Sequence, residues 1–225
     1  MACAINAVQP FTARYQVAWH GLTAGTSSLT LTAGSDGTFT YSSDIQASGI
    51  FGLVFPDALV QSSTFTLRDN RVSPLSYRES GMARDHSQDV WLSFDWSTHQ
   101  VSGTAGKKAV AAPFADGVLD PMAVQVELMR QLRSGLAPTR FTLWDKDEAK
   151  DYNYTREGRE TLDTPLGRID AVIYRSDRPD SDRVTRLWLA PSLGWLPVQA
   201  ARSRNGSTDL SMRITSTTLS PAPQP

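Results

Sequence analysis

The chain has 225 residues, a formal net charge of −1 and a pI near 6.3. A chain of this length buries roughly 70% of its unfolded surface and needs no disulfide or metal staple, and its near-neutral charge argues against an electrostatic hold on nucleic acid or on anionic lipid, both of which need clustered Lys and Arg. No apolar run approaches the roughly 20 residues that span a bilayer, so no transmembrane segment is expected.

In chain order, the N-terminus comes first. Ala2-Cys3-Ala4 has the small-x-small form of a signal-peptidase site, without a charged or apolar region before it. Three readings stand for residues 1–9: the remnant of a removed signal peptide, a lipoprotein acylation site at Cys3, or an ordinary disordered terminus.

Period-two alternation then dominates. Phe11, Ala13, Tyr15, Val17 and Trp19 alternate with polar positions, as in a strand with one buried face. A Gly-containing turn is expected at Leu22–Gly25, after which Leu29 and Leu31 continue the pattern. Ser35-Asp36-Gly37 reads as a hairpin turn, because Asp and Gly tolerate positive φ. Phe39, Tyr41 and Ile45 return. Phe65 and Leu67 precede the polar turn 68–71, and further strands are expected over 72–77, 90–96, 141–143, 152–154, 168–174, 184–190, 197–202 and 209–219. Some ten to twelve strands joined by short turns describe an antiparallel meander or barrel.

One segment breaks the pattern. Asp120 is a natural N-cap, Pro121 suits N1 and Gly135 suits C′, so the spacing predicts a helix of about four turns. Met122, Val124, Val126, Leu128, Met129 and Leu132 share one broad arc, and Glu127, Arg130 and Gln131 fall opposite, toward solvent. No linker divides the chain: one domain over 10–219 is expected, followed by a Pro-rich tail over 220–225.

The run ASGIFGLVFP at 47–56 stands where a polar turn belongs. It is either core at a sheet corner, bent at Gly49 and Gly52, or a glycine-hinged apolar lip at the mouth of a curved sheet. On the second reading Ile50, Phe51, Leu53 and Phe55, a second apolar loop at Trp195, and the helix residues Met122, Val126 and Met129 are the candidate ligand-binding set. Methionines suit an adaptable apolar pocket.

Catalytic and metal motifs are missing. There is no G-x-S-x-G, H-E-x-x-H or S-x-x-K. Asp85-His86-Ser87 reads as a solvated loop, and Asp95 as a residue that ties up turn amides, although Asp95 and His99 are the best candidates for an unrecognised hydrolase. Asp145, Asp147, Glu148 and Asp151 lack Ca²⁺-loop spacing and, with Lys146 and Lys150 between them, read as a charged hairpin tip. One Cys and three scattered His exclude a structural zinc site. No cofactor and no enzyme activity are expected.

Phe94-Asp-Trp96, Asp120 with its helix and Gly135, Glu160-Thr-Leu-Asp-Thr-Pro-Leu-Gly167, Trp188-Leu-Ala190 and Leu196-Pro-Val198 occur in this order. Together they resemble a bacterial family of exported proteins, domain of unknown function 3108, over roughly residues 10–219. The resemblance implies a periplasmic or outer-envelope location, a removed signal peptide and no catalytic residues. The expected fold is all-β with one main helix: a strongly curved antiparallel sheet or half-open β-barrel, the helix covering its concave side, similar to lipoprotein carriers. The expected function is binding or carrying a hydrophobic ligand, a lipid or acyl chain. The alternative is an envelope protein-interaction or assembly factor working through apolar loops or a sheet edge.

Overall fold

A computed structural model describes residues 9–220 apart from 50, 52–58, 82 and 84. Most of the expected N-terminal and C-terminal tails, and Ile50, Leu53 and Phe55 of the apolar run, lie outside the described residues.

Among the described residues fourteen antiparallel strands form one meandering sheet. They are β1 (Phe11–Trp19), β2 (Leu22–Ala33), β3 (Thr38–Ala47), β4 (Leu59–Arg68), β5 (Arg71–Ser80), β6 (Val90–Asp95), β7 (Gln100–Ala105), β8 (Lys108–Pro113), β9 (Arg140–Asp145), β10 (Glu148–Thr164), β11 (Gly167–Asp177), β12 (Arg183–Ala190), β13 (Leu196–Arg204) and β14 (Ser207–Thr217). The spatial order runs β8 through β1 and then β14 through β9, so β1 pairs with β14 and the first and last strands lie in the middle. The edges, β8 and β9, do not pair with each other, and the sheet is an open, barrel-like curve.

Backbone pairing covers the β9 edge, while the β8 edge carries one paired lysine and keeps its outer backbone groups open among the described residues. The linker between β8 and the helix pairs with β9 at Leu119, whose N–H donates to the Thr142 carbonyl and whose carbonyl accepts from Trp144. Lys108 on β8 reaches Asp147 beside β9, with Nζ 2.5 Å from Oδ2. An edge covered in this way is less available to a stray strand.

The alternation seen in the sequence is the burial pattern of the sheet. Phe11, Ala13, Tyr15 and Val17 are buried, with the polar residues between them outside. The expected turns at 35–37, 68–71 and 164–167 are present. Three expectations need correction. The first turn lies at His20-Gly21 (φ 46° and 82°), and Leu22–Gly25 already belongs to β2. The described strands number fourteen rather than ten to twelve, and the two not expected, β7 (QVSGTA) and β8 (KAVAAP), show only Val101 and Val110 as large apolar markers. At one position the small residue is required: a Cβ on Gly103 would meet the Trp91 carbonyl oxygen at 1.9 Å.

The third correction concerns the helix, α1 (Ala123–Arg133). It begins three residues after Asp120. That carboxylate still satisfies its first turn, with Oδ1 accepting from the N–H groups of Met122 (2.8 Å) and Ala123 (2.7 Å). It ends at Gly135 (φ 75°) in a Schellman arrangement, the Gly135 N–H on the Leu132 carbonyl and the Leu136 N–H on that of Gln131. Glu127 and Arg130, expected toward solvent, are 4% and 7% exposed. The helix lies on the concave side chiefly against β5 and β4, and its polar flank is buried as well.

Candidate functional site

Strand directions give the curve two ends. The lower end carries the turns at 69–70, 96–99 and 165–166 and the short 3₁₀ turn Pro191–Leu193. The upper end carries those at 20–21, 106–107 and 205–206 and the connection from Ala47 to Leu59. The described end of β3 at Ala47 and the start of β4 at Leu59 lie at the upper end, and Trp195 lies at the lower. Phe51 is half-buried. Trp195 (φ 67°) is packed against the core after Gly194. Met122, Val126 and Met129 are buried at 6%, 1% and 8% exposure. They form one continuous core with the strands, and line none of the described surface hollows.

The inner face carries a feature that apolar reasoning passed over. Cross-strand rows run from Tyr15 to Ser27, from Leu29 through Ser43 and Gln61 to Glu79, and from Leu31 through Tyr41 and Ser63 to Tyr77. Serines and tyrosines thus occupy inward positions at the centre of the sheet. Some are satisfied. Ser63 Oγ donates to Asp120 Oδ2 at 2.5 Å, and Gln61 Nε2 and Tyr77 Oη both donate to Glu79 Oε2, at 2.6 and 2.7 Å. Others are not. Ser27 Oγ and Tyr41 Oη are buried with no protein partner. The sequence held a signal: keeping the period-two phase of Leu29, Tyr41 and Phe65 places Ser27, Ser43 and Ser63 inside.

Burial sets the electrostatics. The Asp120 carboxyl is fully buried, and loss of hydration pushes its pKa up to about 6, against the pull of Ser63 and the two helix amides. Burial raises the Tyr77 phenol far above its usual range, helped by Glu79, and burial also raises Tyr41.

Below α1, Glu127 gathers four donors. Oε2 accepts from the Val72 N–H (3.1 Å) and Arg130 Nε (2.8 Å), and Oε1 from Arg130 Nη2 (2.8 Å) and Gln131 Nε2 (2.7 Å). This ties the helix to the first turn of β5.

The polar sequence candidates have local roles. Asp95 Oδ1 accepts from the Ser97 N–H and hydroxyl, which with Thr98 hold its carboxyl down at about 2. His99 pairs with Asp116 (2.9 Å), not with Asp95, and His86 pairs with Asp89. The carboxylates at 145–151 face Lys108, Lys150 and Arg140. Among the described residues no group of three His, Cys, Asp or Glu is placed to hold a metal ion, and no helix is long and apolar enough to cross a membrane.

Residues 14–214 match the family model for a protein of unknown function, DUF3108. No curated protein is recognisably similar in sequence. Among solved structures, the chain is similar to a beta-barrel-like protein of domain of unknown function DUF1849 from Brucella abortus. The TM-score is 0.58 at 10% identity, covering 94% of this chain and 98% of that one. Lower scores relate it to MucB (TM-score 0.41, 15% identity, 98% of this chain and 56% of that). A protein with a YmcC-like fold from Bacteroides fragilis scores 0.39 at 9% identity, with 92% and 95% covered. At 10% identity the likeness to the DUF1849 protein concerns the fold alone.

Proposed function

The chain belongs to the DUF3108 family, and from that premise we propose that it is a non-catalytic binding protein of the bacterial envelope whose ligand is hydrophobic, a lipid or acyl chain. The observation that carries this reading is the pair of unpartnered inner-face hydroxyls, Ser27 Oγ and Tyr41 Oη. A buried hydroxyl without a partner costs about 1–3 kcal/mol, and such groups persist where they serve a ligand. The ester or carboxyl oxygen of an acyl compound would accept from them. Its chain would meet the apolar side chains around them, stabilised by roughly 25 cal/mol per Å² of buried apolar area. The run 47–56, with Ile50, Phe51, Leu53 and Phe55, follows β3, the strand that carries Tyr41, and Ser27 lies on the neighbouring β2.

Native mass spectrometry of the protein purified from its bacterial envelope fraction, before and after organic extraction, tests the reading. A stoichiometric lipid-sized adduct is expected, lost on extraction and absent from a Phe51→Ser, Phe55→Ser double variant of unchanged melting temperature. Uptake retained by that variant would remove the 47–56 segment from the site. A clean apo mass together with a co-purifying protein would favour an interaction factor. That second reading has its own support in β8, an edge strand whose outer backbone groups have no partner among the described residues.

A further inference from the structure

The β4–β5 hairpin breaks a local rule. Its two-residue turn, Asp69-Asn70 (φ 48° and 58°), has the positive dihedrals of a type I′ turn. The pair that closes it is Arg68 opposite Arg71. Like charges directly opposite across a strand pair are unfavourable. A carboxylate at either position would have cured this, and neither guanidinium has one: every arginine ion pair among the described residues belongs to another arginine.

Both arginines face a hollow of about 460 Å³ at the lower end of the sheet, between the β4–β5 and β6–β7 turns. Its wall is rigid. The Trp96 indole N–H donates to the Pro74 carbonyl at 2.6 Å, and the ring packs edge-on against Phe114 with centroids 4.9 Å apart. The Arg68 guanidinium lies over that ring, 5.7 Å from its centroid. His99, held in the left-handed region (φ 52°), completes the wall and engages Asp116, so that carboxylate is already occupied by its own partner.

We infer that this hollow is an anion site, in which a phosphate or carboxylate group bridges Arg68 and Arg71 beside Trp96. The anion supplies the ion-pair partner that Arg68 and Arg71 lack, since the Asp69 carboxylate, which also lines the hollow, makes no ion pair with either of them. Two guanidinium forks present donors in the planar geometry that such oxygens fit. Trp96 holds Arg68 in place by its π face. The site is separate from the unpartnered hydroxyls of the inner face and does not depend on a hydrophobic ligand. The chain as a whole is not basic, with a net charge of −1, so attraction of an anion has to come from a local feature such as this.

The probe is inorganic phosphate, titrated into the full chain at low ionic strength and followed by calorimetry. A parallel arm is co-sedimentation with vesicles of phosphatidylglycerol in phosphatidylcholine, against phosphatidylcholine alone. Saturable phosphate binding is expected, weakened at least tenfold in Arg68→Gln, Arg71→Gln and several-fold in Arg71→Gln alone. Lys107→Gln, on the opposite end, should bind as the parent does. Without ligand, the Arg71→Gln protein should melt no lower than the parent, since a repulsion has been removed. Sedimentation with anionic vesicles that phosphate reverses would assign the anion to a lipid headgroup, and phosphate binding without sedimentation would assign it to a soluble compound. No saturable binding in either arm would overturn the inference, as would an equal loss of binding in Lys107→Gln.

Discussion

Replacing Glu127 by Ala tests the idea that α1 is held inside the sheet by a buried ion pair. The substitution leaves Arg130, whose side chain is 6% exposed, as an uncompensated charge, and it orphans the Val72 N–H. Breaking a buried pair from one side costs about 3–5 kcal/mol. In a domain of 150–250 residues each kcal/mol moves Tm by about 2–4 °C, so a fall of roughly 6–20 °C is expected. The preferred assay is urea unfolding followed by the fluorescence of the six tryptophans, with the loss read from the midpoint at constant slope. The double variant Glu127→Leu, Arg130→Leu removes both charges and leaves the buried Val72 amide unsatisfied, about 1–3 kcal/mol, while the part-buried Gln131 Nε2 loses its Glu127 partner as well. It should therefore be more stable than Glu127→Ala alone. A loss below about 1 kcal/mol in the single variant, or a double variant that loses the sum of two singles, would refute the claim that the pair is buried and coupled.

Two further outcomes follow from the inner face. Asp120 has a folded pKa of about 6, above the roughly 3.9 of an unfolded Asp, so the fold favours its protonated form. That contribution is fully present below about pH 3.9 and is lost as pH rises through about 6. Relative to Asp120→Asn, the parent should therefore gain up to about 3 kcal/mol between pH 7.5 and pH 4. Urea midpoints of both proteins across that range check it, and a constant difference between them would contradict it. Tyr15→Phe removes a buried donor 2.8 Å from the Pro197 carbonyl, at a cost of about 1–3 kcal/mol, whereas Tyr41→Phe removes a hydroxyl with no protein partner and should be neutral or stabilising. Equal losses in the two variants would mean that the Tyr41 hydroxyl has a partner in solution.

Much of the sheet was legible because alternation and turn chemistry agree along it. Phe11 to Trp19, Val90 to Phe94 and the Asp-Gly and Asp-Asn turns announce themselves. What escaped was carried by residues without a loud signature. β7 and β8 are built largely from Ser, Gly and Ala with one large buried apolar residue each, Val101 and Val110, and at Gly103 neighbouring backbone leaves no room for a side chain. Ser27, Ser43 and Ser63 read as surface residues by type, while their phase put them inside.

The helix shows most clearly where sequence reasoning reaches its limit. A 100° wheel divides α1 into an apolar arc and a polar arc, and the ordinary outcome is one buried face. That outcome assumes a flat support. Here the partner is a concave sheet, which covers more of the helix than one face, so Glu127 and Arg130 had to find partners within the protein. They found each other three residues apart, Gln131 four residues on, and a β5 amide at the turn. Sequence spacing predicts the Glu127–Arg130 contact, since residues at i and i+3 share a face. It could not predict the Val72 amide, which joins that pair to the hairpin closed by Arg68 and Arg71. An anion bound between those arginines would therefore sit one residue from a backbone group that anchors the helix. Substitution at Glu127 should weaken phosphate binding as well as stability, and an affinity unchanged in a folded Glu127→Gln protein would show that the hairpin holds its geometry without the helix.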